Sequence, residues 1–197
     1  ADAMFGPVDR APLEVSPADA AMELPPLTAP LHRYVSIFGT AANATVFSDG
    51  LGEYEAQPDG TVFVTLVRSV GELSRNDMPE RPGHAGWPTP TPEAQCIGPF
   101  SGTFALMLHD ADSPATRDTI ERTADDVLLP LTGASLRSAL VLPEPVHGVE
   151  LEGVGLTCSA VTESQDGAWI VLRCVNVTDE PSAGAWIAGF AISEART

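Results

Sequence analysis

The run from Arg75 to Trp87 collects side chains that could bind a polar ligand. Its donors, acceptors and aromatic rings belong to six residues: Arg75, Asp77, Glu80, Arg81, His84 and Trp87. A sugar offers hydroxyl groups at its rim and a C–H face for stacking, so this combination is suited to a carbohydrate. Ordered long loops are often functional. The alternative interpretation is that both arginines pair with nearby acids and that the prolines only stiffen a surface loop.

Two carboxylates on one predicted strand are a second feature that could take part in acid–base chemistry. Glu53 and Glu55 are two residues apart, so they share a strand face with Cα atoms ~7 Å apart. Glycosidases use carboxylate pairs at ~5–10 Å, which this spacing permits. Acids at this spacing are more typical of a solvated strand face, however, and Tyr54 between them would then point inward.

The sequence predicts no catalytic residue, metal site or cofactor in this chain. It has no H-x-H, H-E-x-x-H or C-x-x-C pattern for a metal, no G-x-S-x-G elbow and no phosphate-binding glycine loop. The dispersed histidines His32, His109 and His147 are therefore expected to be hydrogen-bonded structural residues. His84 is the exception, because it lies in the loop beside Arg81 and Trp87.

Composition and charge narrow the class of protein. The 197 residues are 44% hydrophobic and 19% charged, which is typical of a globular protein. Ten basic against 27 acidic residues give a net charge of −17, which disfavours nucleic acid and anionic lipid as partners. No apolar run approaches the ~20 residues of a membrane-spanning helix. With no signal-peptide pattern, the expected location is cytoplasmic.

Three cysteines are too few to build a disulfide scaffold. Cys158 and Cys174 lie on two strand-like runs joined by a turn at Gln165–Gly167, so they could face each other across a hairpin. Buried, reduced thiols are the expectation, because free cysteine is commonly a small core residue. Whether the two are bonded stays open.

The spacing of apolar residues predicts an all-β protein with one helix. The helix is expected within Asp110–Pro130, with Ser113 as its N-cap, Pro114 at its first position and an apolar stripe of Ile120, Ala124 and Val127. Residues before Leu31 are expected to be extended, without a packed element. The predicted strands are Tyr34–Phe38, Ala44–Phe47, Glu53–Gln57, Thr61–Val70, Thr103–His109, Ser135–Leu142, Gly155–Thr162, Ala168–Val175 and Ala185–Ile192. The nearly continuous apolar run Trp169–Val175 favours a strand that is buried on both faces or lies in a sandwich core.

Arg68 is predicted to be structural. Alternation on a strand Thr61–Val70 puts it at the end of an aliphatic row formed by Val62, Val64 and Leu66. A charge in that place must be paired or at the rim, and Glu53 or Glu55 is the nearest partner across the turn at Pro58–Gly60. A two-bond guanidinium fork to that carboxylate would make Arg68→Lys destabilising.

Several motifs in this order resemble glycoside hydrolase family 38, the retaining, zinc-dependent α-mannosidases. They are GLGEYE at Gly50–Glu55, TLVRSVGELSR at Thr65–Arg75, RPGHAG at Arg81–Gly86, TPEAQC-G at Thr91–Gly98 and, more weakly, VLRCVNVTDEP at Val171–Pro181. The resemblance is to the C-terminal β-sandwich region of that family. It implies that the nucleophilic aspartate and the zinc ligands belong to a preceding catalytic domain, for which this chain has no counterpart.

The resemblance also implies a domain organisation. Residues 1–110 are expected to form the C-terminal half of a large β-sandwich (a supersandwich) and 111–130 a helical connector. Residues 131–197 would form a small terminal β-sandwich, whose last sheet is expected to be incomplete because the family continues with further strands. The Arg75–Trp87 loop would then be a substrate-side loop or part of the wall against the catalytic domain.

Two functions from different classes follow. The first is a non-catalytic support and interface domain, with a catalytic domain as partner and zinc and a mannose-containing glycan bound by the whole enzyme. The second is a stand-alone carbohydrate-binding or protein-binding β-sandwich. An exposed apolar face would indicate a missing neighbouring domain, whereas an aromatic-lined polar groove would favour a binding module.

Overall fold

The computed structural model describes residues 1–4, 6–11, 13–81, 83–84, 86–133, 135 and 148–196, and within them the chain is an all-β, sandwich-type fold of small antiparallel sheets. Contacts divide it into two compact units, Ala1–Met4 with Val8–Met107, and Phe5–Pro7 with Leu108–Thr197. The predicted strand Ser135–Leu142 lies almost entirely outside the described residues.

Unit 1 contains two three-stranded sheets and a small two-stranded one. In chain order its elements are helix α1 (Pro17–Ala20), β1 (Thr28–Pro30), β2 (Tyr34–Phe38), β3 (Asn43–Asp49), β4 (Glu53–Ala56), β5 (Val62–Val64), β6 (Glu72–Leu73), β7 (Thr89–Pro90), a 3₁₀ helix (Pro92–Gln95) and β8 (Thr103–Leu108). The sheet orders are β1-β4-β5, β2-β3-β8 and β6-β7.

The β4–β5 hairpin forms where the sequence predicts it. Gln57 N–H donates to the Thr61 carbonyl at 2.8 Å, and Asp59 Oδ1 accepts from Thr61 N–H at 2.9 Å. Gly60 adopts a φ of +88°, a left-handed conformation that favours glycine in such a turn. The pairing is antiparallel, with Tyr54 opposite Val64.

The predicted strand Thr61–Val70 is wrong in length, because regular pairing ends at Val64. Beyond it, Thr65 N–H still reaches the Glu53 carbonyl at 3.0 Å, but Val70 N–H turns to the Ala94 carbonyl at 3.2 Å. Leu66 is consequently exposed and does not continue the aliphatic row of Val62 and Val64. The β-branched residues after Thr65 favour a strand, but they do not form one here because they have no regular ladder partner among the described strands.

The core of unit 1 is built from β-strand residues and the segments beside them. Leu31, Val35, Leu51 and Tyr54 form one buried cluster. Phe47 is fully buried and meets Tyr34 edge-on, with ring centroids 6.0 Å apart. Tyr54 therefore points inward, as its alternation with Glu53 and Glu55 predicts.

The segment before Leu31 contains more structure than the predicted extended chain. It forms α1, capped by the Ser16 hydroxyl, and β1, which pairs with β4. Asp2 is buried beneath His32 and Arg33. These contacts join residues ~30 positions apart in the chain, which local patterns do not report.

Unit 2 begins with the predicted helix, α2 (Pro114–Leu128). The Ser113 hydroxyl accepts from Thr116 N–H at 3.1 Å, and Pro114 takes the first helical turn, where it costs no hydrogen bond. Ile120 and Ala124 are buried, as predicted, but Val127 is 44% exposed and lies off the buried stripe.

Among the described residues, four further strands follow α2: β9 (Val149–Glu152), β10 (Leu156–Glu163), β11 (Ile170–Asn176) and β12 (Ala185–Ala188). They pair as β10 with β11 and β12 with β9. The prediction that Trp169–Val175 is buried on both faces is wrong, since Ile170, Val171 and Cys174 are exposed. Among the described residues of unit 2, each strand of this hairpin pairs only with the other. Its apolar residues Val161, Ile170 and Val171 are exposed there.

Candidate functional site

The Arg75–Trp87 loop stands on a closed base. Strands β6 and β7 pair below it, with Glu72 opposite Pro90 and Leu73 opposite Thr89. Thr91 reinforces this base, because its N–H donates to the Gly71 carbonyl at 2.9 Å and its hydroxyl to the Val70 carbonyl at 2.8 Å. The predicted long loop is thus anchored at both ends by a short ladder.

Arg75 and Asp77 form a two-bond ion pair within the loop. Arg75 Nε donates to Asp77 Oδ1 at 2.6 Å and Nη2 to Oδ2 at 2.8 Å. This hydrogen bonding lowers the pKa of Asp77 and raises that of Arg75. Both side chains are exposed, and each satisfies the other, as the structural interpretation of the arginines expects.

Arg81 links the loop to the segment before β1. Its Nη2 donates to the Arg75 carbonyl at 3.1 Å, and its Nη1 lies 3.9 Å from Glu23 Oε1. The adjacent backbone adds a bond from Leu24 N–H to the Glu80 carbonyl at 2.7 Å. The contacts of Nη1 and Nη2 therefore hold the loop against this segment. The Arg81 Nε is buried and has no hydrogen-bond partner among the described residues.

His84 and Trp87 supply the exposed face of the loop. Their rings meet edge-on, with centroids 5.5 Å apart. The Trp87 side chain is 84% exposed, so its ring is open to a ligand or to another protein surface. Gly86, next to Trp87 in the sequence, adopts a φ of +149°, and a Cβ there would lie 2.6 Å from the Ser74 hydroxyl oxygen. That contact leaves room only for glycine.

Glu53 and Glu55 are engaged in separate local contacts. Glu53 accepts from the Thr65 hydroxyl at 2.7 Å and from Arg68 Nη2, whereas Glu55 accepts from the Gln57 side-chain amide. The hydrogen bond from Thr65, with Arg68 adding to it, lowers the pKa of Glu53. The prediction of a fully solvated face is too simple, since β1 flanks β4 and leaves both carboxylates half-buried.

Arg68 pairs with Glu53, the first of its two predicted partners, but without the predicted fork. One nitrogen, Nη2, donates to both carboxylate oxygens, at 2.8 Å and 2.6 Å. The Arg68 side chain is 65% exposed, because the strand on which it was predicted ends four residues earlier. A single nitrogen bridging two oxygens is a geometry that a lysine ammonium can reproduce.

An exposed apolar row on β8 is the surface feature that the sequence did not predict. Phe104, Leu106 and Leu108 alternate along the strand and are 64%, 66% and 75% exposed. We name these three residues the β8 row. They lie on the edge strand of the β2-β3-β8 sheet, where a neighbouring surface could also reach the backbone. The signal in the sequence was a strand apolar on both faces, which is typical of a strand covered on both sides.

The described residues contain no cluster of three or more His, Cys, Asp or Glu that could hold a metal ion. Of the predicted structural histidines, His32 bonds Asp2 and His109 Nδ1 lies 2.8 Å from the Asp110 carbonyl. No helix in the part of the chain that the structure describes is long and apolar enough to cross a membrane.

The described residues form an all-β protein region with a polar loop and an edge strand, β8, whose apolar row is exposed. The chain is similar to two solved structures from Enterococcus faecalis. One, an alpha-mannosidase from strain V583, has a TM-score of 0.72 and 29% identity over 94% of this chain. The other, a protein in glycosyl hydrolase family 38, has a TM-score of 0.63 and 29% identity over 80% of this chain.

These matches confirm the resemblance to family 38 α-mannosidases that the motifs predict. The chain spans only 20% and 18% of the length of the two matched chains, so it corresponds to a part of such proteins. No protein-family model and no curated protein matches the sequence.

Proposed function

We propose that this chain is a non-catalytic, C-terminal β-sandwich region of a family 38 α-mannosidase, which supports the catalytic domain and forms an interface with it. The β8 row carries this proposal. Three large apolar side chains, each about two-thirds or more exposed on one strand edge, are costly to leave in water. A neighbouring domain would cover them.

The similarity to two family 38 structures over most of this chain but about a fifth of theirs supports the choice of partner. In the whole enzyme, the proposed reaction is hydrolysis of α-mannosidic bonds with retention, through a covalent mannosyl intermediate. The implied zinc does not fit the described residues, because they contain no cluster of three or more metal-ligand side chains. We therefore assign the zinc and the nucleophile to the catalytic domain.

The coding sequence that precedes Ala1 tests this proposal. We expect it to encode a catalytic region with a nucleophilic aspartate and zinc ligands of the family 38 type. A coding sequence with no such region would overturn the proposal, and this result does not depend on whether the isolated chain folds well.

A carbohydrate-binding role is the second candidate, and the exposed Trp87 ring beside His84 favours it. Stacking of a sugar on this ring predicts that a mannose oligosaccharide binds the chain and that Trp87→Ala abolishes binding. Trp169→Ala is the matched control, since Trp169 lies in unit 2 beneath the Arg196 guanidinium, 4.3 Å from its ring centroid. Calorimetric titration with equal binding by both variants, or none by the parent chain, would exclude this role for Trp87.

A further inference from the structure

Two of the three cysteines face each other in the β10–β11 hairpin. Cys158 is directly opposite Cys174 in the antiparallel register, between the Thr157–Val175 pair and a bulge at Ser159. Both thiols are free and exposed. The prediction that they face one another is correct, and the prediction that they are buried is wrong, because no other described residue covers this hairpin face.

The hydrogen-bond pattern identifies the kind of pair they form. Val177 N–H donates to the Gly155 carbonyl at 2.8 Å, which marks Gly155 and Val177 as a hydrogen-bonded pair. Such pairs alternate with non-hydrogen-bonded ones along an antiparallel ladder, and the Cys158–Cys174 pair is three steps further. It therefore occupies a non-hydrogen-bonded position.

That position suits a covalent bond between the two side chains. Non-hydrogen-bonded partners have Cα atoms about 4.5 Å apart, and their side chains approach more closely than at the alternate sites. Disulfides span Cα distances of about 4.4–6.8 Å. The two cysteines can thus be joined with little movement of the backbone, and the adjacent bulge gives the strand local freedom to adjust.

We infer that Cys158 and Cys174 form a dithiol site that is oxidised by a small aliphatic disulfide. One thiolate attacks a sulfur of the small disulfide, which gives a mixed disulfide and releases one small thiol. The second thiolate then attacks the protein sulfur of that mixed disulfide, closes the Cys158–Cys174 bond and releases the second small thiol. The protein loses two protons and two electrons, and the small disulfide takes them up as two thiols.

Oxidised glutathione is the probe for this site. The reduced full chain is incubated with it, acid-quenched and alkylated, and its peptides are analysed by mass spectrometry. We expect a linked peptide pair that contains Cys158 and Cys174, lighter than the two reduced peptides by two hydrogen atoms. In Cys174→Ser the second step is impossible, so Cys158 should keep a glutathione adduct at a level about tenfold or more above that of the parent chain.

Cys96→Ser is the matched control, because Cys96 is also an exposed free thiol but lies in unit 1. This variant should form the same linked peptide as the parent. Three results would overturn the inference: separate glutathione adducts that persist on Cys158 and Cys174 of the parent chain, unchanged alkylation of both after oxidation, or a non-reducing gel of Cys96→Ser on which Cys158 or Cys174 joins two chains.

Discussion

Replacing Asp2 with asparagine should destabilise unit 1 far more than the position of this residue in the sequence suggests. Asp2 is 2% exposed. Its Oδ2 contacts His32 Nδ1 at 2.6 Å and Arg33 Nε at 2.9 Å, and its Oδ1 accepts from Arg33 Nη2 at 3.2 Å. Its Oδ2 also accepts from Arg33 N–H at 3.3 Å, so the carboxylate holds the backbone just before β2.

The magnitude follows from these contacts. Breaking a buried ion pair costs about 3–5 kcal/mol, and a hydrogen bond to a charged group contributes about 1.5–3 kcal/mol. The partners are partly solvated, with side-chain exposures of 30% for Arg33 and 60% for His32, which screens part of this energy. We therefore expect Asp2→Asn to lower the free energy of unfolding by about 2–3 kcal/mol at neutral pH.

The effect should depend on pH with a defined sign. Burial by itself would raise the pKa of Asp2, but hydrogen bonding and charge from Arg33, and then from His32, outweigh it and lower the pKa below its ordinary value of 3.8. A lowered folded-state pKa means that the stabilisation is fully present above the unfolded-state pKa and is lost as the pH falls through the folded-state pKa. The difference between parent and variant should therefore shrink below about pH 4.

Urea unfolding followed by near-ultraviolet circular dichroism measures this effect, because both tyrosines, Tyr34 and Tyr54, are buried in unit 1. Asp49→Asn is the control, since Asp49 is an exposed acid of the same unit. Two results would show that the buried ion pair of Asp2 does not stabilise unit 1. One is an equal loss of unfolding free energy in both variants at neutral pH, and the other is a loss in Asp2→Asn that stays the same in acid.

Three further predictions concern the core, the Arg68 pair and activity. Phe47→Ala should lower the free energy of unfolding, measured with urea, by about 3–5 kcal/mol. The matched Phe63→Ala, at a residue that is 57% exposed, should stay within about 0.5 kcal/mol of the parent. Similar losses in the two variants would show that the assigned core is wrong. Arg68→Lys should leave the denaturant midpoint unchanged, because one nitrogen makes both bonds to Glu53, and a clear drop would favour the fork instead. The isolated chain should not hydrolyse an aryl α-mannoside, and zinc-dependent turnover by it would contradict its non-catalytic role.

The sequence predicted those elements that depend on residues within a few positions of one another. The turn at Asp59 and Gly60 requires a left-handed residue and an acceptor two positions earlier, and both are visible in the sequence. Helix α2 begins at Ser113 and Pro114 because a capping hydroxyl and a fixed φ act within one turn. The Arg75–Asp77 pair is likewise a contact between near neighbours.

Features that depend on distant parts of the chain could not be predicted in this way. Strand β1 is three residues long, ends in proline and exists because β4 offers a partner about 25 residues later. The expected strand beyond Val64 fails because the backbone of Val70 finds Ala94 instead. The exposure of β11 and of the β8 row depends on which surfaces cover them, and a periodic pattern shows only that a residue is apolar.

Binding between this chain and the proposed catalytic region would show whether the β8 row is the domain interface. The region encoded before Ala1 is titrated calorimetrically with the parent chain, with Leu106→Ser and with Ile170→Ser. Ile170 is the matched control, because it is 64% exposed, close to the 66% of Leu106, but lies on β11 in unit 2.

Burying a leucine side chain contributes about 1.5–3 kcal/mol, and each 1.4 kcal/mol changes a Kd by about tenfold. We therefore expect Leu106→Ser to weaken binding by about tenfold or more, whereas Ile170→Ser should bind as the parent does. Equal affinity of the parent chain and Leu106→Ser, or no binding by the parent chain, would contradict the assignment of the β8 row as the domain interface.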